Sequence, residues 1–465
     1  MAHETNVVTT VVRKIQQLIQ RVIGEESSDR KFVASQASGM YVLRVAYKVI
    51  NFGMAIFLAR WLGLEVFGEY TLAFSWAALL MIPAAFGLEG LTMREISKAQ
   101  IQQRWGILRG YFTWSFSISV VSSISVGVLL ALASSWIYRD EPTTRAAFVA
   151  ASFLIPFSVP VRLMQSTQDG LKKMTQGRVP DMIIQPTVFL LCVALLHWLA
   201  PEWLNAATVL IIYALTTFLF SLGIGAWLLK RTFPQEAMDA KSERTVSLWL
   251  RNSFTFLLIG TLFATDSRSS TLLLGAFAAK SDVAIYGVLT RLVDLLTFFV
   301  AAFYGPVSRI GIKYYYENNH LKLQRLMTRT VRILVFLGWS VAALLIFIGP
   351  WYLRLFGPEY LPGYPALILL TLAEMVNLAT GTPGYLLNMT EHIKVVARII
   401  FVCLILNMVL GFVLIPKLGL LGAAIAEMSS VMVRNLATAY FTFRLIGVNT
   451  TIFSRMPARR KTEVE

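Results

Sequence analysis

Nine polar or charged side chains in this 465-residue sequence stand inside long apolar runs, where each needs a reason to be there. Arg44 and Lys48 are four apart and Asn51 three further on, so a helix puts all three on one face. Arg291 and Asp294 share a face in the same way, three apart. Glu374 and Glu427 stand alone in their runs. The stretch TDSRSS carries Asp266 and Arg268, which lie about 200° apart on a helix and cannot pair well with each other. Arg268 falls on the side of Thr261, Thr265 and Thr271, and Asp266 on the side of Ser269 and Ser270. Two cations without an acid on their own helix suit an anionic headgroup such as a diphosphate. Arg brings a planar donor fork, and Lys a compact charge. A carboxylate at the same depth can exchange a proton or a cation against substrate charge, which makes Asp266, Asp294, Glu374 and Glu427 candidates for ion coupling. A charge at the bilayer centre costs at least ~2.5 kcal/mol, so these groups must face water or one another. The alternative is a set of buried ion pairs that only lock helices together.

The runs that carry these residues define the class. The chain is 56% apolar and 15% charged, against about half and one quarter in soluble domains. Its apolar residues collect in stretches long enough to cross a ~30 Å hydrocarbon layer as helix. The pattern lacks the ~10-residue alternation of a membrane β-barrel. The sequence therefore predicts an all-α polytopic membrane protein of twelve spans: 36–61, 66–88, 110–137, 146–166, 180–199, 205–229, 248–276, 284–308, 333–353, 363–387, 398–416 and 419–443. Connections on one side, with both termini, hold 29 Lys and Arg, and those on the other hold 5. The positive-inside rule puts both termini in the cytoplasm. This bias also accounts for the net charge of +16 without nucleic acid. Residues 1–35 read as an amphipathic segment on the cytoplasmic surface, with Val8, Val11, Val12, Ile15, Ile19 and Val22 on its apolar face. Residues 444–465 read as a basic cytoplasmic tail.

Three weak matches recur at nearly one offset, 215 to 217 residues. VFGEY (66–70) parallels DVAIY (282–286), Pro201 parallels Pro416, and Ala206-Ala207 parallels Ala423-Ala424. They suggest a six-helix unit used twice in parallel topology. The expected layout is a bundle at 36–230, a cytoplasmic linker at 231–247 and a second bundle at 248–443. The two bundles face a central cavity that opens to alternate sides. Pro156 and Pro160 in the fourth span, and Gly381, Pro383 and Gly384 in the tenth, interrupt corresponding helices. Arg60, Arg162 and Arg251 stand near span ends and can snorkel to water, whereas Arg434 is deeper. Cys192 and Cys403 read as buried apolar residues, and no histidine pair has metal-ligand spacing. The outer loops are too short to carry a catalytic domain, which argues against a membrane polymerase or ligase.

Several stretches are similar to a known family. ARWLGLEVFGEYTLAFSW (59–76) and FGLEGLTMREISK (86–98) resemble the first hairpin and following segment of Wzx-type polysaccharide flippases. LFGPEYLPGYPALILLTLAEMVN (355–377), LLNMTEHIK (386–394) and LIPKLGLLGAAIAE (414–427) resemble the C-terminal pattern of that family, part of the multidrug/oligosaccharidyl-lipid/polysaccharide exporter superfamily. The resemblance implies a transporter, not an enzyme. It implies translocation of undecaprenyl-diphosphate-linked oligosaccharide across the bacterial cytoplasmic (inner) membrane for surface polysaccharide such as O-antigen or exopolysaccharide. The alternative is a multidrug/cation efflux antiporter of the same superfamily. No cofactor is expected beyond a proton or sodium gradient, and the sequence has no GxxxxGK[ST] phosphate loop. Expected partners are the polyprenyl-diphosphate-linked oligosaccharide, membrane lipids and other polysaccharide assembly proteins, with no nucleic acid. The family has no strict catalytic signature, so the cavity residues Arg44, Lys48, Asn51, Arg268 and Arg291 rest on charge and facing alone.

Overall fold

A computed structural model describes residues 30–455 of the chain. All regular elements among them are helical. They run α1 (Arg30–Ala84), α2 (Leu88–Ile101), α3 (Trp105–Ile137), α4 (Pro142–Ser152), α5 (Leu154–Gly170), α6 (Met174–Val179), α7 (Gln185–Leu199), α8 (Ala206–Thr216) and α9 (Ile224–Thr232). After these come α10 (Gln235–Asp239), α11 (Val246–Phe277), α12 (Lys280–Tyr316), α13 (His320–Arg354), α14 (Tyr364–Thr380), α15 (Pro383–Met389), α16 (Ile393–Leu418) and α17 (Leu420–Ile446). The amphipathic segment expected at 1–35 lies almost wholly outside the described residues, as does most of the tail expected at 444–465.

Among the described residues, ten helical stretches are long and apolar enough to cross a membrane. Two of the expected twelve spans fall in one of them, Leu43–Ala84, whose 42 residues are about twice the ~20 that a crossing needs. The stretch is not one straight helix. Gly63 has φ 74° and ψ 171°, a conformation open to glycine and unfavourable for other residues, and it breaks α1 where the first outer turn was expected. The eighth expected span falls in α12, part of whose side chains lie outside the described residues. Large apolar side chains such as Leu129, Leu132, Phe347 and Phe412 stand on the outside of these helices, as hydrocarbon solvent permits. Trp136, Trp198 and Trp351, all exposed, sit at or within a few residues of helix ends, where amphipathic rings mark the membrane boundary.

The chain falls into two compact units, one spanning Ser35–Ile285 and the other running from Tyr286 onward. The linker expected from sequence lay earlier, at 231–247. Within the first unit, α5 packs against α2 and α3, and α4 against α8. The segment 89–109, expected as a loop, is mostly the helix α2. Leu88, Leu91, Ile96 and Ala99 recur at helical spacing and form an apolar stripe. That stripe packs with Tyr111 and Trp114 of α3 and Trp249 of α11 into one buried core, and the Tyr111 and Trp249 rings meet edge to face at 5.1 Å. Thr92 and the Tyr111 hydroxyl, both buried, complete it with a hydrogen bond of 3.0 Å. In the second unit α17 is central, packed on α14, α15 and α16.

The helix breakers act as their types suggest. Gly381 has φ 79° and separates α14 from α15, which opens at Pro383. A Cβ there would meet the Thr450 carbonyl oxygen at 2.7 Å, so both the dihedral and the space call for glycine. In the first unit the chain breaks between α4 and α5 at Phe153, just before Pro156, and Pro160 lies inside α5.

Candidate functional site

Four helices of the second unit bring deep polar groups together. Glu374 and Asn377 lie one turn apart on α14, and the Asn377 Nδ2 donates to Glu374 Oε2 at 2.8 Å. On α16 the buried Asn407 amide donates to Glu427 Oε2 of α17 at 3.0 Å. Arg434, two turns further along α17, acts electrostatically on Glu374, as do Asp294 of α12 and Glu427. Glu374 thus feels two further carboxylates and one guanidinium, and two amides are bonded to Glu374 and Glu427. No group of three His, Cys, Asp or Glu among the described residues is disposed to hold a metal ion, so the acids do not form a ready-made cage. An excess of carboxylate in a low-dielectric site is relieved by taking up a proton or a cation. Three of the four acids proposed from sequence are thus electrostatically linked at Glu374, with Arg434 and with two asparagines that sequence reasoning passed over. The charges of Glu359 and Arg291 both act on the Tyr360 hydroxyl.

The remaining candidates belong to the first unit. Arg44 is exposed on α1, and Lys48 is half-buried beside it. Asn51 turns its amide back to the Tyr47 carbonyl at 3.0 Å, so one donor is engaged on its own helix. Tyr47 acts on the buried Tyr213 of α8, which also feels Asp181 and Arg162. On α11, Asp266 is buried with Ser269 and Ser270, and Arg268 is half-buried. The acid and the base of TDSRSS thus differ in burial.

Two features were missed. Arg162 does not merely snorkel; it reaches Glu89 at 3.4 Å and the Met81 sulfur at 3.7 Å. The physical reason is that α5 packs against α2, which brings an acid 73 positions away to the same depth. The second feature joins three turns at one end of the first unit. Lys280 Nζ, at the start of α12, lies 2.8 Å from Glu69 Oε1 and 2.8 Å from Glu141 Oε2. It also donates to Thr144 Oγ1 at 2.5 Å. Glu69 accepts a further bond from Thr143 at 3.0 Å, and the Thr144 hydroxyl, 3.1 Å from Glu69 and 2.8 Å from Glu141, gives its single proton to one or the other. Gly68 lets the Lys280 backbone pass, since a Cβ there would collide with the Lys280 carbonyl. The hydrogen bond from Lys280, then that from Thr144, holds the Glu141 carboxyl below its ordinary value. Burial by itself would lower the Lys280 ammonium, but the bonds and charges of Glu141 and Glu69 outweigh it and leave the pKa raised. The signal was available: Glu69 is an acid inside a predicted span, where the parallel position of the second repeat is Ile285.

Comparison with known proteins shows the family and the fold. A family model described as polysaccharide biosynthesis protein matches residues 37–308. No curated protein matches the sequence. An inward-facing multidrug resistance MATE family transporter of the MOP superfamily is similar over 88% of this chain and 98% of its own, with 13% identity and a TM-score of 0.72. A MOP superfamily transporter from Pyrococcus furiosus, described as having a binding pocket of reversed polarity, covers 92% of this chain and 98% of its own, with 14% identity and a TM-score of 0.64. An outward-facing MATE family transporter covers 92% and 98%, with 14% identity and a TM-score of 0.63. At these identities the likeness establishes the fold.

Proposed function

The chain belongs to the polysaccharide biosynthesis protein family and has the fold of MOP superfamily transporters, and from that premise we propose that it flips a polyprenyl-diphosphate-linked oligosaccharide across the bacterial cytoplasmic membrane. The observation that carries the reading is the family match over 37–308, which includes the charged segments at Arg44, Lys48, Arg268 and Arg291. In this reading two six-helix bundles rock about a central cavity and expose it to each side in turn. Arg44 and Lys48, with Asn51, Arg268 and Arg291, neutralise the diphosphate while the isoprenoid tail stays in the bilayer. Cations at this depth are tolerable where they face water and an anionic substrate. Both termini are cytoplasmic, as the loop charges favour. The cluster of Asp294, Glu374, Glu427 and Arg434 exchanges a proton or sodium ion and so couples flipping to a gradient; Asp266 is a further candidate in the other unit. The product feeds surface polysaccharide assembly, with other assembly proteins as partners.

The test is complementation. Charge-removing variants at Arg44, Lys48, Arg268 and Arg291 are expected to abolish surface polysaccharide at normal protein level. Wild-type polysaccharide in all four would refute the assignment of the cationic face.

The acid-rich cluster of the second unit also suits a second reading, cation or drug efflux by an antiporter. Drug susceptibility of a deletion strain separates the two. Increased susceptibility with intact polysaccharide would favour efflux.

A further inference from the structure

We propose that a groove on the first unit, between α3, α4 and α8, binds a phosphate-bearing membrane lipid, with the phosphate on Arg145 and an acyl chain along the groove. The inference is independent of which substrate is transported. The groove has a volume of about 320 Å³ and is lined by Ser135 of α3, Arg145, Val149 and Phe153 along and just beyond α4, and Ala207 and Ile211 of α8. That volume is at the low end of the ~300–1,000 Å³ of small-ligand sites, enough for part of a chain and not for a whole lipid. Its floor and walls are apolar, and the helices that form it are membrane-spanning. The occupant therefore comes from the bilayer.

Arg145 supplies the polar end. It is half-buried at the mouth of the groove, on the first turn of α4. Its backbone N–H donates to the Glu141 carbonyl, but among the described residues its guanidinium has no hydrogen bond or ion pair. Of the acids before it, Glu141 is engaged with Lys280 and Thr144, Glu69 with Lys280, Thr143 and Thr144, and Asp140 is exposed on the turn and makes no ion pair with Arg145. A partly desolvated guanidinium without an anion calls for one, and its planar fork fits two phosphate oxygens. The depth is right as well. Trp136, 81% exposed, follows Ser135 directly in the last turn of α3 and places the headgroup level beside Arg145. A phosphate at that level and a chain running inward past Val149, Phe153 and Ile211 match the polarity of the groove end to end.

The experiment uses the full-length protein in detergent micelles with phosphatidylglycerol that carries a photoactivatable diazirine on one acyl chain. Adducts are mapped by peptide mass spectrometry. In the wild type, labelling is expected to concentrate in 142–153 and 206–211. It should be displaced by dioleoyl-phosphatidylglycerol and left unchanged by dioleoylglycerol or inorganic phosphate. Arg145→Gln should lower labelling at these peptides by at least about tenfold, as loss of one charge-assisted fork implies, while adducts elsewhere persist. Ala207→Trp, which fills the groove and keeps the charge, should do the same. Labelling spread evenly over lipid-facing helices would overturn the proposal, as would labelling unchanged in Arg145→Gln. Displacement by dioleoylglycerol equal to that by the phospholipid would remove the role of the phosphate, and displacement by inorganic phosphate alone would identify an anion site in place of a lipid site. The wild-type displacement arms decide the matter even if a variant fails to fold.

Discussion

Replacing Lys280 with Met takes away a cation that contacts both Glu69 and Glu141 at 2.8 Å. Removing one partner of a fully buried pair costs roughly 3–5 kcal/mol, because the other charge is left desolvated. Here the two acids differ. The Glu141 side chain is 52% exposed, so its share is that of a surface pair, about 0–1 kcal/mol. The Glu69 side chain is 9% exposed but keeps the hydroxyl bond of Thr143 and shares that of Thr144, which reduces its penalty below that of an orphaned carboxylate. The Lys280 side chain, at 34% exposure, loses part of its gain to solvent screening. The sum is about 2 kcal/mol, which at about 2–4 °C per kcal/mol lowers Tm by about 4–8 °C. The assay is thermal unfolding of the purified protein in detergent. A Glu69→Met/Lys280→Met double variant should recover most of the loss, since apolar residues of similar volume replace a buried pair without leaving a bare charge. The pH dependence has a definite sign. Glu141 is depressed, so its contribution is present above the ordinary value of 4.5 and lost as pH falls through the folded value. Lys280 is raised, so its contribution is complete below 10.5 and lost only as pH rises through the folded value. The difference between wild type and Lys280→Met should therefore be flat from about pH 5 to about pH 10 and shrink at more acid pH. A variant within about 1 °C of wild type at pH 7, or a difference that widens on acidification, would refute the reasoning.

Asn407→Ala should destabilise the second unit by roughly 1–3 kcal/mol, because Glu427 loses its buried amide donor; thermal unfolding checks this, and Asn407→Asp should be worse as a further acid beside Glu427. Gly381→Ala meets both a positive φ and the Thr450 carbonyl, so it should cost about 1–3 kcal/mol and lower Tm. If flexing between α14 and α15 matters to transport, the same variant should also slow substrate flipping in proteoliposomes beyond what its reduced folded fraction explains.

Much of this architecture was legible in the sequence because membrane insertion is a local problem. Each run near 20 apolar residues must satisfy its own backbone as helix, so composition alone announces the spans. The breaks at Gly63, Phe153–Pro156 and Gly381–Pro383 follow from glycine and proline stereochemistry, which is local too. Helix α2 was misread as a loop since its apolar stripe is short and flanked by charge. Only Tyr111, Trp114 and Trp249, brought up by packing, give that stripe a surface to cover.

What the sequence determined by itself was the cost: which ionisable groups lie at membrane depth and must be compensated. Only the tertiary structure decided the partners. Several acids and cations occur at similar depth, and helical period says nothing about which neighbouring helix supplies the counter-charge. Thus Arg162 finds Glu89 across the contact of α5 with α2, and Lys280 finds Glu69 across 211 residues of chain. Glu374 and Glu427 come near each other because α14 and α16 pack about α17, and Arg145 has no ion pair among the described residues although Glu141 lies one turn before it, because Glu141 is held by Lys280.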